Sequence, residues 1–137
     1  MNFVLDASVV LSWAFEDERD ASALRVLERL RESEAVTSSI WPLEVSNALL
    51  AAQRRGRIDP ADAARFASHL LVLPIVVEPV ERRASLVDLR RLAQDHDLSS
   101  YDASYLDVAL RRGIPLATMD MALSRAAESA GVALVKG

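Results

Sequence analysis

Cysteine is absent from this chain of 137 residues, lysine occurs only at Lys136, and there are four glycines. Without cysteine there is no disulfide, no zinc-thiolate site and no thiol nucleophile, so a reducing compartment, the cytoplasm, is the expected location. So few glycines leave no GxGxxG or GxxxxGK[ST] run, which removes the phosphate-cradling loops of nucleotide-binding enzymes. Long apolar runs are missing too. The longest, "LLVLPIVV", is broken by Pro74 and is too short to span a bilayer, and Asp6 interrupts the N-terminal apolar run where a signal peptide would continue. Excess positive charge is lacking as well: a formal net charge of -4 argues against a protein that coats nucleic acid electrostatically. Catalysis on nucleic acid stays possible, because an acidic pocket filled by a divalent cation presents positive charge to phosphate.

What is present is an alternation of strand and helix. Apolar runs bounded by turn signals predict strands at 3–6, 35–38, 75–78, 115–119 and 132–135. Helical periodicity covers 20–32, 42–55, 61–73, 81–96, 100–112 and 121–130, with a further helix beginning near Ser8. Gly56, Gly113 and Gly131 stand where helices stop, and Pro42 and Pro60 where a first turn tolerates proline. The pattern implies one α/β domain over residues 1–137: a three-layer α/β/α sandwich with a mostly parallel central sheet of about five strands. The acidic stretch at 15–20 reads as a solvated loop.

Open α/β sheets bind ligands outside the carboxyl ends of their strands. Four acids map to that edge: Asp6 after the first strand, Glu44 and Asp102 in first helical turns, and Asp120 directly after the strand at 115–119. Each has an ordinary explanation. Asp6 and Asp120 could cap helices, a role worth about 0.5 to 2 kcal/mol. Ser99 and Asp102 have capping-box spacing, and Glu44 would favour the positive end of its helix. Glu44 and Asp102 fit those explanations poorly, because Glu44 shares a stripe with Trp41, Ala48 and Ala51, and Asp102 with Leu106 and Ala109. A carboxylate on a core-facing stripe needs a compensating cation or hydrogen bonds, and the arginines of those helices come at their far ends. If the four converge, each neighbouring pair repels by roughly 4 kcal/mol at 4 Å and an effective dielectric near 20, more than a cap contributes. A divalent cation with hard oxygen ligands would make such a cluster tolerable.

Three stretches, "VLDASVVLSWAFEDE", "WPLEVSNALL" and "LSSYDASYLDVALRRGIPLATMDMALSRAA", resemble the PIN-domain ribonucleases, and among them the VapC toxins of bacterial toxin-antitoxin pairs. The resemblance covers essentially the whole chain. It implies that Asp6, Glu44, Asp102 and Asp120 form an acidic quartet holding one or two Mg2+ or Mn2+ ions. Ser8, Asn47 and Thr118 would then be auxiliary polar groups, and the activity an endoribonuclease that leaves 5'-phosphate and 3'-hydroxyl ends. It further implies an antitoxin whose C-terminal segment covers the active crevice, and a homodimer. Read from the residues alone, Ser8 is an N-cap, Thr118 a strand residue and Asn47 a partner for backbone groups.

Other features point elsewhere. His69 and His96 read as structural or surface residues, and Asp95, Asp97 and Asp107 as surface acids, with Asp97 closest to the crevice mouth. Arg54 with Arg55, and Arg111 with Arg112, are either guides for an RNA backbone or charges favoured at helix C-termini. Trp13, Phe15 and Trp41 are core residues by default and partner contacts otherwise. Two further functions compete. An Asp-dependent phosphatase also begins on a strand ending in Asp, but wants a second Asp where Ser8 stands. A catalytically weak binding or scaffold module of the same fold is the non-enzymatic reading.

Overall fold

A computed structural model describes residues 2–135. Strand β1, Phe3–Leu5, is buried at every position, as is β2, Ala35–Ser38. Burial at every position is what a parallel sheet covered on both faces imposes on its central strands, and in β2 it extends to the polar Thr37 and Ser38. With β3, Ile75–Glu78, and β4, Leu116–Ala117, they form a parallel sheet of four strands among the described residues, ordered β3-β2-β1-β4. The fifth expected strand, at 132–135, reduces to a single bridge between Leu134 and Leu116. The strand expected at 115–119 is likewise shortened. Beyond Ala117 the chain leaves the sheet, because Thr118 turns its hydroxyl toward Asp6 instead of continuing the ladder. Lys136 lies outside the described residues.

Seven helices flank the sheet among the described residues: α1, Ala7–Ala14; α2, Ala21–Arg29; α3, Trp41–Arg54; α4, Pro60–Leu70; α5, Arg90–His96; α6, Ser100–Arg112; and α7, Met121–Ser129. The architecture is the expected three-layer one. Helix α6 packs on β1, β2 and β4 with α5 and α7 beside it, while α1 touches α2 and α3, and α3 touches α4. The helix expected over 81–96 contains a π-helical stretch, Ala84–Leu89, that runs into α5. The acidic loop forms a single 3-10 turn, Glu16–Glu18, and Asp20 caps α2.

Punctuation follows the sequence. Asp59 caps α4 by accepting the Asp62 amide at 2.9 Å, with Pro60 in the first turn. Gly113 ends α6 with a φ of 63°, a left-handed conformation that glycine adopts without steric cost. Asp97 ends α5 in the same region, at a φ of 54°. Asp97 is therefore a helix stop, exposed, and no part of the crevice.

Trp13, Phe15 and Trp41, the alternative partner contacts, are each only 7% exposed and belong to the core. The Trp13 indole donates to the Ala23 carbonyl at 2.7 Å, and Arg57 covers the Phe15 ring. Fully burying one valine or leucine contributes about 1.5 to 3 kcal/mol, so the aliphatic cluster around Val4, Leu5, Leu106 and Leu116 can offset the burial of a few poorly compensated polar groups nearby.

Candidate active site

The strand order contains one reversal. The chain steps outward from β1 to β2 to β3, then returns to place β4 on the other side of β1. The crevice at such a switch point is where open α/β sheets bind ligands. Leu5 is in register with Ala117, so the next residues, Asp6 and Thr118, emerge side by side at the carboxyl ends of β1 and β4. Thr118 Oγ1 donates to Asp6 Oδ2 at 2.6 Å, and Ser8 Oγ donates to the same oxygen at 2.7 Å. The two hydroxyls are themselves held, since Ser8 accepts the Met119 amide at 2.9 Å and Thr118 accepts the Asp120 amide at 3.0 Å. The loop leaving β4 is thereby tied to the start of α1.

The other acids arrive on helices. Glu44 lies in the first turn of α3, which follows β2, and Asp102 in the first turn of α6. Asp120 caps α7 by accepting the Leu123 amide at 2.9 Å, so its capping role is real. All four acids line one cleft of about 320 Å3, with Ser8, Asn47, Leu11 and Ala48 among the remaining walls. Thr118 sits beneath it, touching Asp6. Larger hollows exist, one of about 760 Å3 among them, but acids there face arginines: Asp17 pairs with Arg57 at 3.2 Å, and Asp62 pairs with Arg65.

Electrostatics separates the cleft from those hollows. Asp6 is only 4% exposed; burial raises its pKa, the Thr118 and Ser8 hydroxyls pull it back down in part, and the Asp120 charge raises it again. Glu44 is also raised, first by burial and then by the Asp6 charge, against a lowering hydrogen bond from Tyr105. Asp102 is pushed up to about 6 by burial and by the charges of Asp6, Asp120 and Glu44. The shifts on these three acids trace to burial, to hydroxyl or amide donors and to one another; no arginine or lysine contributes. Like charges are concentrated without a counter-charge, which is the situation in which a cation is bound.

Tyr105 is the participant that sequence reasoning missed. Its ring is fully buried on α6, and its hydroxyl donates to Glu44 Oε1. Burial and the neighbouring Glu44 charge push the phenol pKa far above its ordinary value, so it stays a donor. The available signal was its position three residues after Asp102, on the same face of a helix. A second missed feature is a buried serine pair: the Ser104 and Ser38 hydroxyls meet at 2.8 Å where α6 crosses the end of β2. Asn47 lies at the rim and is exposed. Ser99 is a plain cap, accepting the Asp102 amide at 3.1 Å.

The arginines at the end of α6 have acidic partners. Arg111 and Arg112 both bind Glu78, and Arg111 also binds Asp107 at 2.8 Å, so they hold a surface ion network at the end of α6. Asp107 is correspondingly half-buried within that network. His69 is exposed on α4, and His96 closes α5 away from the cleft.

The donor set suits a hard divalent ion, which takes carboxylate and water oxygens and leaves positions for phosphate. Among the described residues no three acidic or histidine side chains are arranged so that they could hold a metal ion together. The Asp6, Glu44 and Asp120 carboxylates each accept hydrogen bonds from donors of the protein instead. Mg2+ and Mn2+ do not need a preset cage; Mg2+ in particular is held by one or two carboxylates and its own waters.

Comparison with known proteins gives the family. Ribonuclease VapC3 of Pyrobaculum aerophilum is 27% identical over 124 residues, 90% of this chain and 93% of that one. The crystal structure of Mycobacterium tuberculosis VapC20, a sarcin-ricin loop cleaving toxin, superposes with a TM-score of 0.70 at 21% identity, covering 98% of this chain and 99% of that one. VapBC2 from Rickettsia felis, bound to a DNA fragment from its promoter, superposes with a TM-score of 0.69 at 14% identity over 98% of each chain. The model of the PIN domain matches residues 3–129, and with the parallel sheet, its switch point and the acids gathered there, the chain belongs to the PIN-domain family.

Proposed function

We propose that residues 1–137 form a metal-dependent endoribonuclease that acts in the cytoplasm as the toxin of a toxin-antitoxin pair. The observation that carries this reading is the gathering of Asp6, Glu44, Asp102 and Asp120, from four separate stretches of chain, around one cleft with no basic partner. The name of the related VapC3 supports the reaction class. In this reading the four carboxylates hold one or two Mg2+ or Mn2+ ions, and Ser8 and Thr118 orient Asp6 by donating to its Oδ2. When bound, such an ion supplies a water of lowered pKa and neutralises charge growing on the phosphate. Water oxygen attacks phosphorus in line, the bond from phosphorus to the 3'-oxygen breaks, and that oxygen leaves with a proton. The products carry 5'-phosphate and 3'-hydroxyl ends. Asn47, at the rim one turn after Glu44, is placed to contact the strand.

An antitoxin covering the cleft is proposed with it; the structural neighbour VapBC2 was solved bound to a DNA fragment from its promoter. The apolar residues beside three of the acids support a docking surface: Leu43, Tyr101 and Met121 are 67%, 61% and 66% exposed. We also propose a homodimer, for which the exposed Leu71 and Val72 after α4 offer apolar area. The catalytically weak binding module draws support from the absence of a preset metal cage among the described residues. RNA cleavage assayed with Mg2+ or Mn2+, with and without EDTA, decides between them. Cleavage that depends on the ion and disappears in a folded Asp6→Asn variant is expected, whereas cleavage indifferent to EDTA would sink the proposal.

A further inference from the structure

The acidic cleft does not end at Ser8, Leu11 and Ala48. These three residues are also walls of a second hollow, of about 490 Å3, which continues along α1 and α3 to Arg55 and Arg57. Both helices begin at the cleft and lie against each other, and along this stretch α3 contributes only the small side chains of Ala48 and Ala52 before Arg55. A trough stays open along their seam. Glu44 and Arg55 are 11 positions apart on α3, about 16 Å along a helix that rises 1.5 Å per residue. The two arginines at the far end are not equivalent. Arg57 pairs with Asp17 at 3.2 Å and with Glu18 at 3.8 Å and covers the Phe15 ring, which fixes it in the wall. Arg55 is exposed and has no acidic partner among the described residues. Its neighbour Arg54 is also exposed but stands outside the hollow. The negative end of α3 favours a cation at either position, so the helix dipole does not explain why one of them faces the trough.

With a cation in the cleft, both ends of the trough attract negative charge, and the floor between them is apolar, built from Leu11, Ala48 and Met119. Single-stranded nucleic acid has the matching alternation, phosphates joined through bases with apolar faces. A peptide would have to supply two acids at the right spacing, whereas a strand carries a charge at every nucleotide. Resting on the endoribonuclease reading above, we infer that the hollow along α1 and α3 is a substrate subsite in which Arg55 grips a backbone phosphate a few nucleotides from the one being cut, the intervening bases lying on its floor. Asn47, between Glu44 and Arg55 on the same helix, falls on this path. Phosphate contacts fix where a strand lies and carry no sequence information, so Arg55 sets the register of the substrate and not which sequence is cleaved.

Cleavage of a single-stranded RNA by the full chain with Mn2+ tests this, comparing Arg55→Gln and Arg54→Gln with the unaltered protein over a range of salt concentrations. Arg55→Gln is expected to raise KM by about fivefold with kcat kept within about twofold, and to flatten the slope of log kcat/KM against log salt by about 0.7, the value of one single-strand phosphate contact. Arg54→Gln removes the same charge one residue away and should change none of the three. Arg55→Lys, which keeps the charge, should restore the salt slope. Trimming the substrate locates the contact: the Arg55→Gln penalty is expected to vanish when the strand is cut back, from one end only, to a single nucleotide beside the scissile bond. Arg55→Ala takes the place of Arg55→Gln should thermal unfolding show the latter misfolded. Equal kinetics in the two glutamine variants overturn the subsite, and are what a hollow occupied by a protein segment would give. A penalty that survives trimming from both ends overturns it too. Absence of cleavage by the unaltered protein would instead remove the ribonuclease reading on which this inference stands.

Discussion

Two groups of acids sit at the carboxyl ends of strands in this one sheet, and α6 serves both in opposite ways. Glu78, the last residue of β3, receives Arg111 and Arg112 from the last turn of α6, with the Arg112 contact at 2.7 Å. Asp6, just beyond β1, receives another acid, Asp102, from the first turn of the same helix. Burial acts on both groups in the same direction. For Glu78 the arginines more than offset it and its pKa ends below the ordinary carboxylate value, while for Asp6 and Asp102 nothing cationic does and theirs end above. A strand end that needs neutral charge for stability is given arginines from within the chain. The cleft acids receive no such arginines, and that contrast is what makes the cleft a candidate binding site rather than a structural ion cluster.

Removing one charge from each group gives the widest separation. Asp6→Asn is expected to lower metal-dependent RNA cleavage by about 100-fold or more, the scale seen when a charge-stabilising group leaves an active site. Glu78→Gln should leave cleavage rates unchanged. Both are read from initial rates on one RNA substrate, and comparable losses in the two variants would erase the distinction. Next in size is the response of folding to metal. Mn2+ at about 100 times its Kd should stabilise the protein by about 2.7 kcal/mol, seen as a raised melting temperature. Asp102→Asn should blunt that gain and Glu78→Gln should keep it.

The dependence of stability on pH separates the groups by sign. Asp102 holds its proton more tightly in the folded protein, at about 6, than at the ordinary aspartate value of 3.8. Its contribution is therefore complete below about pH 4 and is lost as pH rises through about 6. Glu78 works in reverse: its lowered pKa favours folding above the ordinary carboxylate range and that contribution fades as pH falls through the lowered value. Denaturant titrations of metal-free protein from pH 4 to 7 should show the fall flattened in Asp102→Asn. The smallest effect is expected from Glu78→Gln on stability, a loss of about 1 kcal/mol near neutral pH, because its arginine partners are nearly half exposed and solvent screens the pairs.

Much of this was legible in the chain, unevenly. Strands 35–38 and 75–78 have the bounds read from apolar runs, and α6 has the bounds read from a serine cap and a terminal glycine. Those signals are local and were not overridden. The fifth strand failed because pairing is not local: Leu134 meets Leu116 only once, and Thr118 leaves the ladder for a contact with a residue 112 positions away. Asp6 and Asp120 were found because polar residues directly after buried strands are conspicuous, and Glu44 and Asp102 because acids in first helical turns on apolar stripes are. Tyr105 was not, because an aromatic on an apolar helix face looks like core, and it is core; only its hydroxyl belongs to the cleft. The pairing of Arg111 and Arg112 with Glu78 was invisible for the same reason, since partners 33 and 34 residues apart leave no periodic trace.

The order of residues alone dictated the alternating elements, the buried central strands, the helix stops and the identity of the four carboxylates, because each follows from propensities and patterns acting within a few turns of chain. Which oxygens face which donors, which arginines are spent on Glu78, and that the acids meet without a counter-charge were decided only when β4 crossed back beside β1 and laid α6 over the sheet. Desolvation and Coulomb interaction depend on distances through space, and distance through space is set by packing rather than by position along the chain.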